Sequence, residues 1–198
     1  MTRRAIGSAL YVVGAGLLVY SAATLARSSL ARDEARSAWE ALEARQAVAT
    51  VDASFAARAS YAVVSGAPLA RLIIPRIGLD EIVVEGVDGA SLNAGPGHLP
   101  GSALPGEPGN SVVSAHRDRH FSDLDGVTVG DTLVTETLSG RVTWVVSSRR
   151  VVARGMPALY ETPTAVLTLT TCWPVRYFGS APDRLLIVAR PVQRTPRA

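Results

Sequence analysis

One thiol, one imidazole and one guanidinium in this chain could together form a nucleophilic site. Cys172 is the single cysteine, and it follows the strand-like run 168–171. His116 closes a second short apolar run, and Arg184 opens a third. A cysteine is an effective nucleophile as its thiolate, which a nearby cation favours. These residue types, each at the end of a predicted strand, therefore predict cysteine-based acyl transfer.

Each of these residues has a distinct task in that chemistry. His116 would stabilise the thiolate and later donate a proton to the leaving amine. The carbonyl oxygen becomes negative during acyl transfer and needs fixed donors, and the rigid fork of Arg184 suits that task. The Thr171 hydroxyl or a backbone amide would be a second donor. Thr170, beside it, is a further candidate for the oxyanion or the substrate.

Other residues compete for these tasks. Cys172 could instead be a buried, inert thiol, a common fate of a lone cysteine. His98 lies in a stretch rich in Pro and Gly and is expected to shape the substrate groove or orient a group there, whereas His120 is expected to be structural. Arg176 is a second candidate arginine, but it follows Cys172 in a loop, while a strand would fix the direction of Arg184.

Two neighbours of the site each leave two interpretations open. Asp118 could accept a hydrogen bond from the site or make a turn, and Trp173 could line the substrate groove or pack against the strands. Three acidic residues invite a calcium interpretation, but they lack the loop signature of a dedicated site, so they are expected to be solvated turn residues: Asp123, Asp125 and Asp131. The sequence contains no phosphate loop, HExxH or paired-cysteine motif. No metal or cofactor is expected.

The N-terminal part of the chain predicts a membrane anchor and a stalk. Residues 5–26 carry no charge, and a membrane-spanning helix needs about 20 apolar residues. Arg3 and Arg4 precede this segment and favour a cytoplasmic N-terminus with the remainder outside the cytoplasm. A cleavable signal peptide is the competing interpretation. We expect an anchor at 1–26, a helical stalk rich in Ala, Arg and Glu at 27–66, and a catalytic domain at 67–198.

The remainder of the chain has the pattern of an all-β domain. Short β-branched runs alternate with turn signals and predict strands at 71–74, 82–85, 111–115, 132–136, 142–152, 165–171 and 185–191. Such a series of short strands is typical of a closed or nearly closed barrel. The net charge is only +3, and no basic run interleaves with aromatic residues. Nucleic-acid binding is therefore not expected.

These residues carry a resemblance to a known family. The run Thr168-Leu169-Thr170-Thr171-Cys172 resembles the sortase signature Thr-Leu-x-Thr-Cys, and Arg184 stands where the arginine of that family would stand. His116 with the two residues after it, and the Pro- and Gly-rich stretch 95–110, are similar to the histidine segment of sortases and the loop before it. Ala115 replaces a residue that is often Gly in the family. The short anchor, the Cys-Trp-Pro continuation and the lack of a C-terminal membrane segment look most like sortases of Gram-negative bacteria.

The resemblance implies a fold, an activity and partners. The fold would be an eight-stranded sortase-type β-barrel, and the enzyme a cysteine transpeptidase of the inner membrane with its catalytic domain in the periplasm. Its partner would be a surface protein with a C-terminal sorting motif of the Leu-Pro-x-Thr-Gly type. A thioacyl intermediate on Cys172 would then pass to an amine acceptor, such as a peptidoglycan precursor.

Two alternatives to this function are compatible with parts of the sequence. The L,D-transpeptidases have a Ser-His-Gly-Cys arrangement with an arginine just after the cysteine, whereas Trp173 and Pro174 follow it here. A non-catalytic, membrane-anchored barrel that binds surface proteins or cell wall is the second alternative. The presence of all three site residues argues against it.

Overall fold

The computed structural model describes residues 3–52 and 64–196, and the side chains of 10–46 and 64–196. A long helix, α1 (Arg3–Asp52), precedes a mostly β domain with one short helix, α2 (Ser91–Ala94). The strands are β1 (Pro68–Ile74), β2 (Leu79–Glu85), β3 (Gly97–His98), β4 (Asn110–Ser114), β5 (Thr132–Thr137), β6 (Gly140–Ala153), β7 (Val166–Trp173) and β8 (Asp183–Pro196).

The eight strands close into one barrel in the order β1-β2-β3-β4-β7-β8-β6-β5. The pairs β2–β3 and β4–β7 are parallel, and the other pairs are antiparallel. The predicted eight-stranded barrel is therefore confirmed. β3 was not among the predicted strands, because two residues within a stretch rich in Pro and Gly are too short to show an alternating pattern.

Alternation along the strands separates the barrel interior from its outer face. Side chains of a strand point to opposite sides in turn. In β7, Leu167 and Leu169 are fully buried in the core, as are Leu185 and Ile187 in β8. Odd-numbered residues of these two strands therefore fill the barrel, and even-numbered residues lie on its outer face.

The second half of α1 packs against the outside of the barrel. Trp39 is only 2% exposed, and with Ala35 it contacts Ile82 and Val84 of β2 in a second hydrophobic cluster. At the far end, the Gln46 side-chain amide donates to the carbonyl of Leu138 at 2.6 Å. This part of the predicted stalk is thus docked on the domain along its length.

α1 is continuous across the predicted boundary between anchor and stalk at residue 26. In its first half, the large apolar side chains from Leu10 to Leu25 are 60–83% exposed. Length and composition make α1 the one helix of the described chain that could cross a membrane. Residues 53–63, near the end of the predicted stalk, lie outside the described residues.

Candidate active site

Cys172 and Arg184 face each other across two neighbouring strands. Cys172 is the penultimate residue of β7, and its Cα is paired with that of Arg184 in the antiparallel β7–β8 ladder. Directly opposite residues in such a ladder have Cα atoms about 4.5–5.5 Å apart. Both residues are even-numbered members of their strands and half-buried, so their side chains share the outer face of the barrel.

His116 reaches the same level from the strand on the other side of β7. In the parallel β4–β7 ladder Ser114 pairs with Thr170, and the Ala115 amide donates to the Thr170 carbonyl at 3.2 Å. Continuing that register by two residues brings His116 level with Cys172. The structure therefore brings the three predicted positions together at one end of three adjacent strands, β4, β7 and β8. We call this end of the barrel the site end.

The backbone around His116 is fixed on both sides. Before it, the Thr171 hydroxyl donates to the carbonyl of Ala115 at 2.8 Å. After it, the His116 carbonyl accepts from the amides of Arg119 and Phe121, at 3.3 and 3.1 Å, and the Phe121 ring is fully buried. The His116 side chain itself is exposed. The imidazole is thus presented to solvent from a firmly held turn.

The electrostatic surroundings of His116 favour its neutral form. Neighbouring protein atoms desolvate part of the ring, and this lowers the pKa of His116 below its ordinary value. The negative charge of Asp118 opposes the shift, while Arg119 and His120 add to it. A neutral imidazole can accept the proton of a thiol, which is what a cysteine nucleophile requires of its base.

Arg184 is oriented by a single backbone contact. Its Nε donates to the carbonyl of Arg154 at 3.4 Å, a long hydrogen bond. Across residues 10–46 and 64–196, no side chain or carbonyl accepts from its two Nη groups. The end of the guanidinium therefore remains available to a ligand.

Hydrogen bonds connect the outer face of β7 to the segment 154–165. The Thr168 hydroxyl donates to the side-chain oxygen of Asn110 at 2.7 Å, and the Asn110 amide donates to the carbonyl of Ala158 at 2.9 Å. Thr170, next to Cys172 on this face, is 4% exposed, and its hydroxyl has no hydrogen-bond partner among the described residues. A buried hydroxyl without a partner is a polar group that a bound ligand could satisfy.

Two residues that the sequence suggested for the oxyanion or the substrate have structural tasks instead. The Thr171 side chain is fully buried, and its hydroxyl proton is committed to Ala115. His98 is 2% exposed, with Nδ1 2.6 Å from Glu85 Oε2 and Nε2 2.9 Å from the Ser102 hydroxyl. Because both ring nitrogens are occupied and buried, His98 supports the turn after β3.

Trp173 and Asp118, for each of which the sequence left two interpretations open, have different surroundings. Trp173 packs against the barrel core, and the Arg149 guanidinium lies over its ring at 5.3 Å from the centroid. Packing against the strands is therefore its observed task. Asp118 is exposed and acts on His116 through its charge.

The rival histidine and arginine have acidic partners of their own. His120 is buried, with Nδ1 3.4 Å from Glu81 Oε1, which agrees with its expected structural task. The Arg176 side chain is 84% exposed and lies 3.9 Å from Asp123.

Arg117 is an important residue that sequence reasoning did not single out. Its guanidinium donates to the carbonyls of Pro174 and Gly179, at 2.9 and 2.6 Å, and lies 5.7 Å from the ring centroid of Tyr177. It therefore holds the 174–182 segment, which joins β7 to β8. These partners are about 60 residues away along the chain, so only its position beside His116 could have drawn attention to it.

Two of the acidic residues considered for calcium have other partners, and Asp123 accepts from the Ser122 hydroxyl at 3.1 Å. Asp131 accepts from the amide and the hydroxyl of Thr128, at 2.8 and 3.1 Å, as a turn residue does. Within the described ranges, no three His, Cys, Asp or Glu side chains are grouped as metal ligands.

Comparisons with known proteins agree with this geometry. A family model for the sortase domain matches residues 72–192, more than half of the chain. Sortase D of Bacillus subtilis is 32% identical over 137 residues, which cover 68% of this chain and 69% of the relative.

Solved structures show the same fold. The Sortase D5 transpeptidase of Clostridium perfringens superposes with a TM-score of 0.65, covering 85% of this chain and 99% of that one, at 21% identity. Sortase C-1 of Actinomyces oris superposes with a TM-score of 0.58 and 30% identity, covering 64% of this chain and 75% of that one. The family match and these relatives, together with the residues of the site, show that the chain belongs to the sortase family of cysteine transpeptidases.

Proposed function

We propose that this sortase is membrane-anchored and that it cleaves a C-terminal sorting motif of the Leu-Pro-x-Thr-Gly type in a surface protein. The observation that supports the proposal is that Cys172 pairs with Arg184 across the β7–β8 ladder, while His116 follows the end of β4, the strand on the other side of β7. The buried Thr170 hydroxyl, two residues before Cys172 in β7, has no hydrogen-bond partner among the described residues. The acceptor is an amine, such as that of a peptidoglycan precursor.

The first half of the reaction forms a thioester. The Cys172 thiol transfers its proton to the neutral imidazole of His116, and the thiolate attacks the threonine carbonyl of the motif. The guanidinium of Arg184 stabilises the negative oxygen of the tetrahedral intermediate. As the intermediate collapses, the peptide C–N bond breaks and His116 returns the proton to the leaving amine.

The second half transfers the acyl group. The acceptor amine attacks the thioester carbonyl, and His116 removes the proton from the attacking nitrogen. A new C–N bond forms and the C–S bond breaks, so that Cys172 leaves as a thiolate and regains the proton from His116. Arg184 stabilises the oxygen of this second intermediate in the same way. The pKa of His116, lowered by desolvation, favours the neutral imidazole that acts as the base in both halves.

The membrane anchor in this proposal is the first half of α1. Its large side chains are apolar and exposed in the structure, which is unfavourable in water and favourable in lipid. The arginines before the segment favour a cytoplasmic N-terminus. The catalytic barrel then lies outside the cytoplasm. The resemblance to Gram-negative sortases predicts that the membrane is the inner membrane, and this stays a prediction.

A transfer assay with the full chain tests the proposed function. A labelled peptide with a Leu-Pro-x-Thr-Gly motif is incubated with and without a glycine-based amine, and the products are separated by chromatography. We expect cleavage between Thr and Gly and an amine-linked product, with neither formed by Cys172→Ala. Peptide binding without cleavage would support the non-catalytic alternative. Release of the free acid alone, even with excess amine, would indicate a protease.

A further inference from the structure

The site end of the barrel carries a loop that projects beyond the last strand pair. Trp173 and Asp183 form the final pair of the β7–β8 ladder, just beyond Cys172 and Arg184. The residues 174–182 between them, which we call the lip loop, therefore extend past the catalytic positions. Arg117 holds this loop through two backbone carbonyls.

α1 leaves the barrel at this same end. Ser28 donates to the carbonyl of Asn93 at 3.3 Å and accepts from Arg119 at 3.2 Å, three residues beyond His116. One turn later, Arg32 lies 3.7 Å from Glu81, which is 3.4 Å from His120. These contacts place the start of the docked half of α1 beside the segment that carries His116.

The docked half of α1 then runs to the opposite end of the barrel. Gln46 contacts Leu138 in the turn between β5 and β6. The strand directions show that this turn is far from the site end. β1 runs toward the site end, where Ile74 pairs with Leu79 at the start of β2, whereas Arg71, earlier in β1, pairs with Glu136 near the end of β5. The β5–β6 turn therefore lies at the opposite end of the barrel, and the apolar half of α1 projects from the site end.

The C-terminal end of the apolar segment lies close to the site end along the axis of α1. Ala26 is the last residue of the uncharged segment, and Ser28, the first helix residue that is buried against the barrel, follows two residues later. A helix rises 1.5 Å per residue, so this separation is about 3 Å along its axis. If the segment spans a bilayer, the site end lies at the surface of that bilayer.

The lip loop has the side chains of a membrane-contacting surface. Phe178 is fully exposed at 102%, Tyr177 is 49% exposed, and the Arg176 side chain is 84% exposed. A fully exposed phenylalanine is unfavourable in water. Aromatic residues favour the headgroup level, and arginine is attracted to anionic lipid. Asp123, 3.9 Å from Arg176, offsets part of that charge, while Arg117 beneath Tyr177 adds to it.

We propose that the lip loop contacts the headgroup region of the membrane that holds α1, so that the catalytic end of the barrel faces the bilayer. The partner is anionic lipid, contacted by Phe178 and Tyr177 at its apolar level and by Arg176 at its charged surface. This proposal rests on the proposed membrane anchoring. It brings Cys172 close to a peptide that emerges directly from the same membrane.

Site-specific labelling of the full chain in vesicles tests the contact. In a Cys172→Ala background, an introduced cysteine is the single thiol and can carry an environment-sensitive fluorophore. We choose Phe178→Cys in the lip loop and Val192→Cys as the matched control, since Val192 is an exposed apolar residue (62%) toward the other end of β8. Leu18→Cys reports on the insertion of α1. The vesicles contain phosphatidylethanolamine and phosphatidylglycerol, with quenchers on the lipid headgroup, deep in the acyl chain, or in the water.

Three outcomes are distinguishable. The proposal expects headgroup quenching at position 178 several-fold stronger than at 192, with shielding from the aqueous quencher, and deep quenching at position 18. Deep quenching at 18 with equal, weak headgroup quenching at 178 and 192 would overturn the lip-loop contact and leave the anchoring intact. Absence of deep quenching at 18 would overturn both.

Discussion

At the scale of single residues, a substitution of Arg184 can distinguish the effect of its positive charge from that of its directed hydrogen bonds. Arg184→Lys keeps the positive charge but loses the planar fork of donors beside Cys172. We expect kcat to fall by about 10²-fold, as when one oxyanion donor is removed, with KM little changed. Steady-state kinetics of peptide cleavage measure this, with Arg190→Lys on the same strand and face as the control. A lysine variant with full kcat would exclude Arg184 from oxyanion binding.

Asp118 is expected to set the protonation of His116. Its negative charge favours the imidazolium, so Asp118→Asn should move the His116 titration to lower pH, further below its ordinary value. NMR titration of the imidazole in the Cys172→Ala background measures the midpoint, and Asp33→Asn on the exposed side of α1 is the control. An unchanged or raised midpoint would contradict the electrostatic role of Asp118.

The same depressed pKa has a consequence for stability. The folded protein binds the His116 proton more weakly than the unfolded chain does, so protonation favours unfolding. This contribution lowers stability as the pH falls below the ordinary value of 6.5 and is absent at higher pH. Replacing His116 by glutamine should therefore reduce the loss of stability on acidification.

His98 distinguishes a supporting residue from a substrate-binding one. His98→Ala leaves the Glu85 carboxylate and the Ser102 hydroxyl without their buried partner. We expect the free energy of unfolding to fall by about 1–3 kcal/mol, with kcat and KM of the folded fraction little changed. Chemical denaturation and steady-state kinetics measure the two effects. A large rise in KM at unchanged stability would restore His98 to the substrate site.

At the scale of elements, the docking of α1 depends on Trp39. Trp39→Ala removes a nearly fully buried side chain from the interface with β2. At a well-packed site such a change lowers the free energy of unfolding by about 3–5 kcal/mol. We expect residues 28–46 to lose protection from amide hydrogen exchange while the barrel strands keep theirs. Leu30→Ala, at a 67% exposed position of the same helix, is the control. Equal protection in both variants would show that the helix is held by its polar contacts.

The strands show which elements a sequence reveals. β7 was predicted to within two residues at its C-terminal end, because β-branched residues and threonines run up to Cys172 between clear turns. β3 has only Gly97 and His98, and it exists because β2 and β4 offer hydrogen bonds on either side. Its existence depends on its neighbours more than on its own composition.

In the site as well, some features can be predicted from the local sequence and others depend on tertiary contacts. Cys172, His116 and Arg184 were identifiable because each stands at a strand end with the required chemistry. The occupied hydroxyl of Thr171 and the buried imidazole of His98 were not, since their partners come from other strands and turns. Local pattern therefore identifies reactive groups, and tertiary contacts decide which of them are free.

At the scale of the whole molecule, the predicted anchor and stalk form a single helix. In the proposed arrangement this helix passes from lipid to the barrel surface, a change that alters which side chains are buried and leaves the backbone helical. Because α1 is docked from Ser28 to Gln46, the barrel has a defined orientation to its apolar half. This couples the position of the catalytic end to the anchor.

Intact mass spectrometry of the full chain, incubated with a sorting-motif peptide in the absence of an amine acceptor, tests the central claim most directly. The account predicts a mass increase equal to the peptide fragment ending in threonine, located on Cys172 by fragmentation and released by hydroxylamine. Cys172→Ala should show no increase. Peptide cleavage without such an adduct, or an adduct on another residue, would contradict acyl transfer through Cys172.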